Sequence, residues 1–148
     1  MSKKYSGFII PQIKKSIQRD SFSCGAHAVK AITNYAGKRY KITHIRKMLK
    51  TSEENGTRQT AIENFFKKIG MSYKIITHAK TCDIESEIIK FNPVLVAIDN
   101  CEHWVVIYGY SKKCFYILDS INYICNKRIS KKIFKKFWDG WIMSVKCF

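Results

Sequence analysis

The chain has 148 residues, 46% of them hydrophobic, and a formal net charge of +16. That length corresponds to about one domain, residues 1–148, and suffices to bury a core without staples. The composition excludes a disordered chain. No run approaches the ~18 apolar residues of a membrane-spanning helix.

The N-terminus, Met1 to Pro11, carries two lysines and only a short apolar run. A secretory signal needs an apolar stretch of roughly 7–15 residues, so none is expected and a cytoplasmic location is. Residues 24–36 read as a helix, with Ala26, Val29, Ala31, Ile32 and Tyr35 forming a mostly apolar pattern and Gly37 as its stop. Thr43 is placed to cap a second helix from His44 to about Thr51. Glu53 to Gly56 reads as a turn. A third helix runs from about Arg58 to Ile69, with Ile62, Phe65, Phe66 and Ile69 on one face and Gly70 ending it. Ser72 to His78 is a short strand. A fourth helix spans about Asp83 to Lys90, with Asp83, Glu85 and Glu87 suited to its first turns.

The chain then changes character. Pro93–Ile98, Trp104–Tyr110 and Cys114–Asp119 read as three apolar strands joined by hairpin connections at Asp99–Glu102 and Ser111–Lys113. Ser130 to Trp138 reads as a short basic helix and Trp141 to Lys146 as a final strand. Helices first and antiparallel strands second is an α+β pattern, with the N-terminal helices packed on a curved antiparallel sheet.

The charge alone would suggest nucleic acid as a partner. However, the chain has 22 Lys to 5 Arg and 22 Ile to 3 Leu, both of which an A/T-rich coding sequence produces. Arginine, the preferred reader of bases and phosphates, is the scarce cation. The charge is therefore read first as composition and solubility, then as attraction for an acidic protein partner, with nucleic acid last. The six cysteines, Cys24, Cys82, Cys101, Cys114, Cys125 and Cys147, include no Cys-x-x-Cys pair and no finger-like spacing. Free thiols and no metal or other cofactor are expected. Oligomeric state is left open.

Four residues stand out as a set. Cys24 opens the first helix, where the helix terminus favours a thiolate. His103 opens an apolar strand and can supply an imidazolium across from it. Asp119 closes the next strand and can hold that imidazole in one orientation. Gln18, on the loop entering the first helix, can join the Cys24 N–H as an oxyanion donor. Each alone has a plain alternative: a small buried thiol, a half-buried histidine, a strand-end carboxylate, a loop amide. Their order and placement together point to nucleophilic thiol chemistry on a peptide-like bond. His27 is a rival base, tied to the Cys24 helix, and Asp99 and Asn100 are rivals for Asp119. His44 and His78 read as surface residues.

The run from Gln18 through Cys24-Gly25-Ala26, the helix ending in Asn34-Tyr35-Ala36-Gly37, the His103–Tyr110 strand and Ile117-Leu118-Asp119-Ser120 resemble the bacteriocin-processing (double-glycine leader) peptidases. These belong to the papain-like clan, and the resemblance extends over nearly the whole chain. It implies a papain-like fold and a cysteine endopeptidase acting on a peptide or protein substrate. In that case Cys24 is the nucleophile, His103 the base, Asp119 the orienting acid and Gln18 the oxyanion donor. Ser120 stands where a proline often follows the aspartate, and His27 where a small residue is usual. Two other classes remain open: an acyl-transfer or deamidating enzyme on the same scaffold, and a non-catalytic basic binding module.

Overall fold

The computed structural model describes residues 6–99, 102–121 and 127–148. Two readings therefore lie outside the described residues: Asn100 as a rival carboxylate substitute, and Cys101 and Cys125 as plain thiols. The elements, in chain order, are β1 (Phe8–Ile9), α1 (Cys24–Tyr35), α2 (Ile42–Leu49), α3 (Gln59–Lys68), β2 (Tyr73–Ile76), α4 (Thr81–Ile88), β3 (Val94–Ile98), β4 (His103–Tyr110), β5 (Cys114–Leu118), β6 (Arg128–Ser130), α5 (Lys131–Phe137) and β7 (Ile142–Val145). The strands form one antiparallel sheet in the order β2-β7-β3-β4-β5-β6, with β1 pairing onto β4. Helices segregated from an antiparallel sheet make this the expected α+β architecture.

β3 and β4 are buried at every position. Such continuous burial requires cover on both faces of the sheet, which is why both segments read as unbroken apolar runs. α1 packs against β4, and α4 against β3, β4 and β7. α1 is itself buried almost all round, and Val29 and Ile32 are fully enclosed. α2 and α3 pack outside it through Ile45, Leu49, Ile62, Phe65 and Phe66.

Element boundaries differ from expectation where local bonds decide them. α2 starts at Ile42, with Lys41 at its N-cap, so Thr43 lies inside the first turn and makes no cap. α4 starts at Thr81, because the Asp83 carboxylate reaches back to accept the Lys80 N–H at 2.7 Å. Glu87 is not a first-turn charge. It is buried, and its carboxylate accepts the Ser144 hydroxyl at 2.7 Å and pairs with Lys90 at 3.1 Å. Burial pushes the Glu87 carboxyl up, but these partners outweigh it and hold it below its ordinary value. β1 and β6 were not anticipated; two and three residues carry too little pattern to read.

One irregularity sets the geometry of the hairpin β4–β5. Near the turn, Tyr110 faces Phe115 and Gly109 faces Tyr116; further on, Ile107 faces Ile117 and Val106 faces Leu118. One extra β4 residue, Tyr108, is therefore bulged out. Continuing the shifted register one step sets Asp119 opposite Val105, on the same face as His103. Without the bulge Asp119 would face Val106, on the other side of the sheet.

Phe66 is fully buried between α3 and the rest of the core. Phe66→Ala should cost about 3–5 kcal/mol of stability. A urea titration should show this as a lowered midpoint at unchanged slope.

Candidate active site

Cys24 is the first residue of α1, where N–H groups lack partners within the helix and the helix dipole favours negative charge. The turn before it is built by Asp20, whose Oδ1 accepts the N–H groups of Phe22 at 3.0 Å and Ser23 at 2.8 Å. Arg46 of α2 pairs with the other Asp20 oxygen at 3.3 Å and lies over the Phe22 ring. Burial raises the Asp20 carboxyl, yet these bonds hold it below its ordinary value, so the turn is built on an ionised side chain.

Gly25 brings the start of α1 onto the sheet. A Cβ at this position would lie 2.6 Å from Thr57 Cβ and 3.0 Å from Trp104 Cδ1. Trp104 is held by its indole N–H, which donates to the Thr57 carbonyl at 2.9 Å. Its backbone N–H in turn points at the Cys24 sulfur, 3.5 Å away. A helix residue with no side chain therefore allows β4 to approach the thiol.

His103 opens β4 and stands beside Cys24. Its Nε2 bonds Asp119 Oδ1 at 2.8 Å, which leaves Nδ1 as the ring nitrogen available to the thiol. All three side chains are largely buried. Burial raises the Cys24 thiol, but the His103 hydrogen bond, the Trp104 N–H and the imidazolium charge outweigh it and lower it from its ordinary value. Burial alone would lower His103, but Asp119 and then Cys24 lift it to about 9. Burial likewise opposes Asp119 ionisation, and His103 and Lys127 overcome it, holding that carboxyl well below the usual carboxylate range. Cys24 and His103 titrate as a pair, and the pair favours thiolate and imidazolium together.

Gln18 is buried, and both ends of its side-chain amide are fixed. Nε2 donates to the Asp20 carbonyl at 2.7 Å and Oε1 accepts the Ser120 hydroxyl at 2.5 Å. The structure thus brings Cys24, His103 and Asp119 together, with His103 bonded to Asp119 and the Trp104 N–H to the sulfur, and places Gln18 on the loop entering α1, tied to the residue after Asp119. Two of the rivals, His27 and Asp99, are placed elsewhere. His27 Nδ1 bonds Ser16 Oγ at 2.7 Å, and burial keeps the ring below its ordinary value. Asp99 is exposed in a left-handed turn conformation, φ +52°. His44 and His78 are exposed, as expected.

Sequence reasoning missed Lys127, whose Nζ lies 2.6 Å from Asp119 Oδ2. No spacing rule joins a lysine before β6 to a carboxylate after β5. It also missed Trp104 and Thr57, which act through a backbone N–H and a backbone carbonyl and so leave little trace in residue type. The other described cysteines, Cys82, Cys114 and Cys147, are free, and burial pushes the Cys147 thiol up to about 12. Among the described residues no His/Cys/Asp/Glu cluster could hold a metal ion, and no helix is long and apolar enough to cross a membrane.

A family model described as the peptidase C39 family matches residues 12–147. No curated protein gives a significant sequence match. Among solved structures, the peptidase domain of Streptococcus ComA, a bi-functional ABC transporter of a quorum-sensing pathway, is 24% identical with a TM-score of 0.78, over 90% of this chain and 97% of that one. A C39-like peptidase from Bacillus anthracis is 12% identical with a TM-score of 0.79, over 95% and 97%. A double-glycine motif protease from an AMS/PCAT transporter, solved with its leader peptide, is 19% identical with a TM-score of 0.71, over 91% and 95%. At these identities the likeness establishes the fold.

Two outcomes are expected. Iodoacetamide should alkylate Cys24 at pH 6 ahead of Cys82, Cys114 and Cys147, read by peptide mapping. In His103→Ala, the pH midpoint of that alkylation should move up toward the ordinary thiol value of 9.0, because the cation and hydrogen bond that lower it are gone.

Proposed function

The chain belongs to the peptidase C39 family and is a papain-like cysteine peptidase, and on that premise we propose that it is an endopeptidase working through a Cys24 thioester. The observation that carries this reading is the His103–Asp119 hydrogen bond set beside Cys24, whose sulfur receives the Trp104 N–H at the first turn of a buried helix. The Cys24 thiolate attacks the scissile carbonyl carbon, and the carbonyl electrons move to oxygen. The Cys24 N–H and the second Nε2 hydrogen of Gln18 receive that oxyanion. As the C–N bond breaks, the imidazolium of His103 gives its Nδ1 proton to the departing amine. The neutral ring then takes a proton from water, whose oxygen attacks the thioester and releases the second product and the thiolate. Asp119 keeps the ring oriented through Nε2 and stabilises its charge.

The substrate is a peptide or protein segment, cut by a single peptidase domain, and the net charge of +16 favours an acidic one. A double-glycine leader is the first sequence to offer, since a structural relative was solved with its leader peptide. Free thiols fit a cytoplasmic setting. Product mass separates hydrolysis from acyl transfer or deamidation at the same thioester: an added water marks a cleaved bond.

Cys24→Ala and His103→Ala should each lower peptide turnover by at least about three orders of magnitude with the fold intact by circular dichroism. A loss under tenfold in either would end the reading. The wild-type profile should fall on the alkaline side near pH 9, where His103 loses its proton. In Asp119→Asn that limb should move to lower pH, because the anion that raises the His103 pKa is gone.

A further inference from the structure

Asp119 and Ser120 are adjacent and reach opposite halves of the site. Asp119 holds the His103 ring, while the Ser120 hydroxyl donates to Gln18 Oε1 at 2.5 Å and the Ser120 carbonyl accepts the Gln18 N–H at 2.9 Å. Ser120 and Gln18 are both buried, only 5% and 6% exposed, so bulk water does not readily substitute for the hydroxyl. An amide can be flipped end for end with little change in shape. Here the Asp20 carbonyl, which can only accept, fixes the end 2.7 Å away as the N–H end, and the Ser120 hydroxyl supplies the matching donor to Oε1.

We propose that Ser120 is a positioning residue for the oxyanion donor: its hydroxyl anchors the Oε1 end of the Gln18 amide while Nε2 is held at the Asp20 carbonyl, so that the Asp119-Ser120 dipeptide aligns base and oxyanion donor together. The proposal rests on the reading of Gln18 as that donor. Removing the hydroxyl leaves Oε1 buried without its partner and the amide held at one end only, by the Asp20 carbonyl. The loop itself stays in place, because Ser16 still bonds His27 at 2.7 Å, Asp20 still pairs with Arg46 at 3.3 Å, and the backbone bond from Gln18 to Ser120 remains. Ser120 touches neither Cys24 nor His103 in any described hydrogen bond, so thiolate formation does not depend on it.

The test is a cycle of Gln18→Ala, Ser120→Ala and the double variant, with Ser120→Thr as the form that keeps a hydroxyl. Each is read three ways: peptide kcat and KM, the rate of Cys24 alkylation by iodoacetamide, and thermal midpoint. Alkylation uses the thiolate but forms no oxyanion. Gln18→Ala should lower kcat by about two to three orders of magnitude. Ser120→Ala should lower kcat by about tenfold, the scale of one buried hydrogen bond, with KM and alkylation rate unchanged. Ser120→Thr should recover most of that loss. In the Gln18→Ala background, Ser120→Ala should cost nothing further, since the hydroxyl acts only through that amide. A Ser120→Ala loss that persists undiminished in that background, or that lowers alkylation equally, overturns the tether while leaving Gln18 as donor. A Gln18→Ala enzyme with wild-type kcat overturns the donor reading, and the tether with it.

Discussion

The site depends on a register offset of one residue between β4 and β5. Tyr108 is the extra residue, and by bulging out it rotates everything beyond it to the opposite face of its partner strand. Asp119 thereby shares a face with His103, and a 2.8 Å bond between them becomes geometrically available. Everything else converges on that hairpin. α1 can press its first turn against β4 because Gly25 has no side chain to hold it off Trp104 and Thr57. The Gln18 loop is tied to the residue that follows Asp119. The nucleophile, base, orienting acid and oxyanion donor of the proposed mechanism thus share one mechanical reference, the β4–β5 hairpin.

Much of this was legible in the sequence, and the limits were physical. Long periodic segments such as Cys24–Tyr35 and Gln59–Lys68 carry several turns of evidence, and Gly37 and Gly70 end them in the left-handed conformation their stops require. The apolar strands announced themselves because both faces are covered. Residue type also made Gln18, Cys24, His103 and Asp119 conspicuous, since a thiol at a helix start and a histidine at a strand start have few chemical peers. What stayed hidden was whatever acts without side-chain identity: the Tyr108 bulge, the Trp104 N–H beside the sulfur, the Thr57 carbonyl under the indole. Lys127 was hidden for another reason. One lysine among 22 has no mark to distinguish it until the fold delivers it to Asp119.

Two clusters of buried and half-buried polar groups link distant segments. Glu87 joins α4 to β7 through Ser144, while Asp20, Gln18, Ser120 and His27 join the entry loop to α1, α2 and the end of β5. Such links are costly when half made and specific when complete. The second group surrounds the thiol, where a loop would otherwise be free to sample several amide and backbone orientations. Three of the scarce acidic residues, Asp20, Glu87 and Asp119, thus serve as anchors between segments.

Lys127 gives the proposed site an electrical character unlike the rest of the molecule. Thiolate, imidazolium, carboxylate and ammonium follow one another along a single line of contacts, Cys24, His103, Asp119, Lys127. Their charges alternate and sum to zero. A neutral alternating row has a field that dies away quickly with distance, and it likewise responds little to a uniform potential imposed from outside. The surrounding excess of cations, 27 against 11 anions, can therefore change without disturbing the proton balance between sulfur and imidazole. The surface is thus free to drift in charge while the sulfur–imidazole pair keeps its setting.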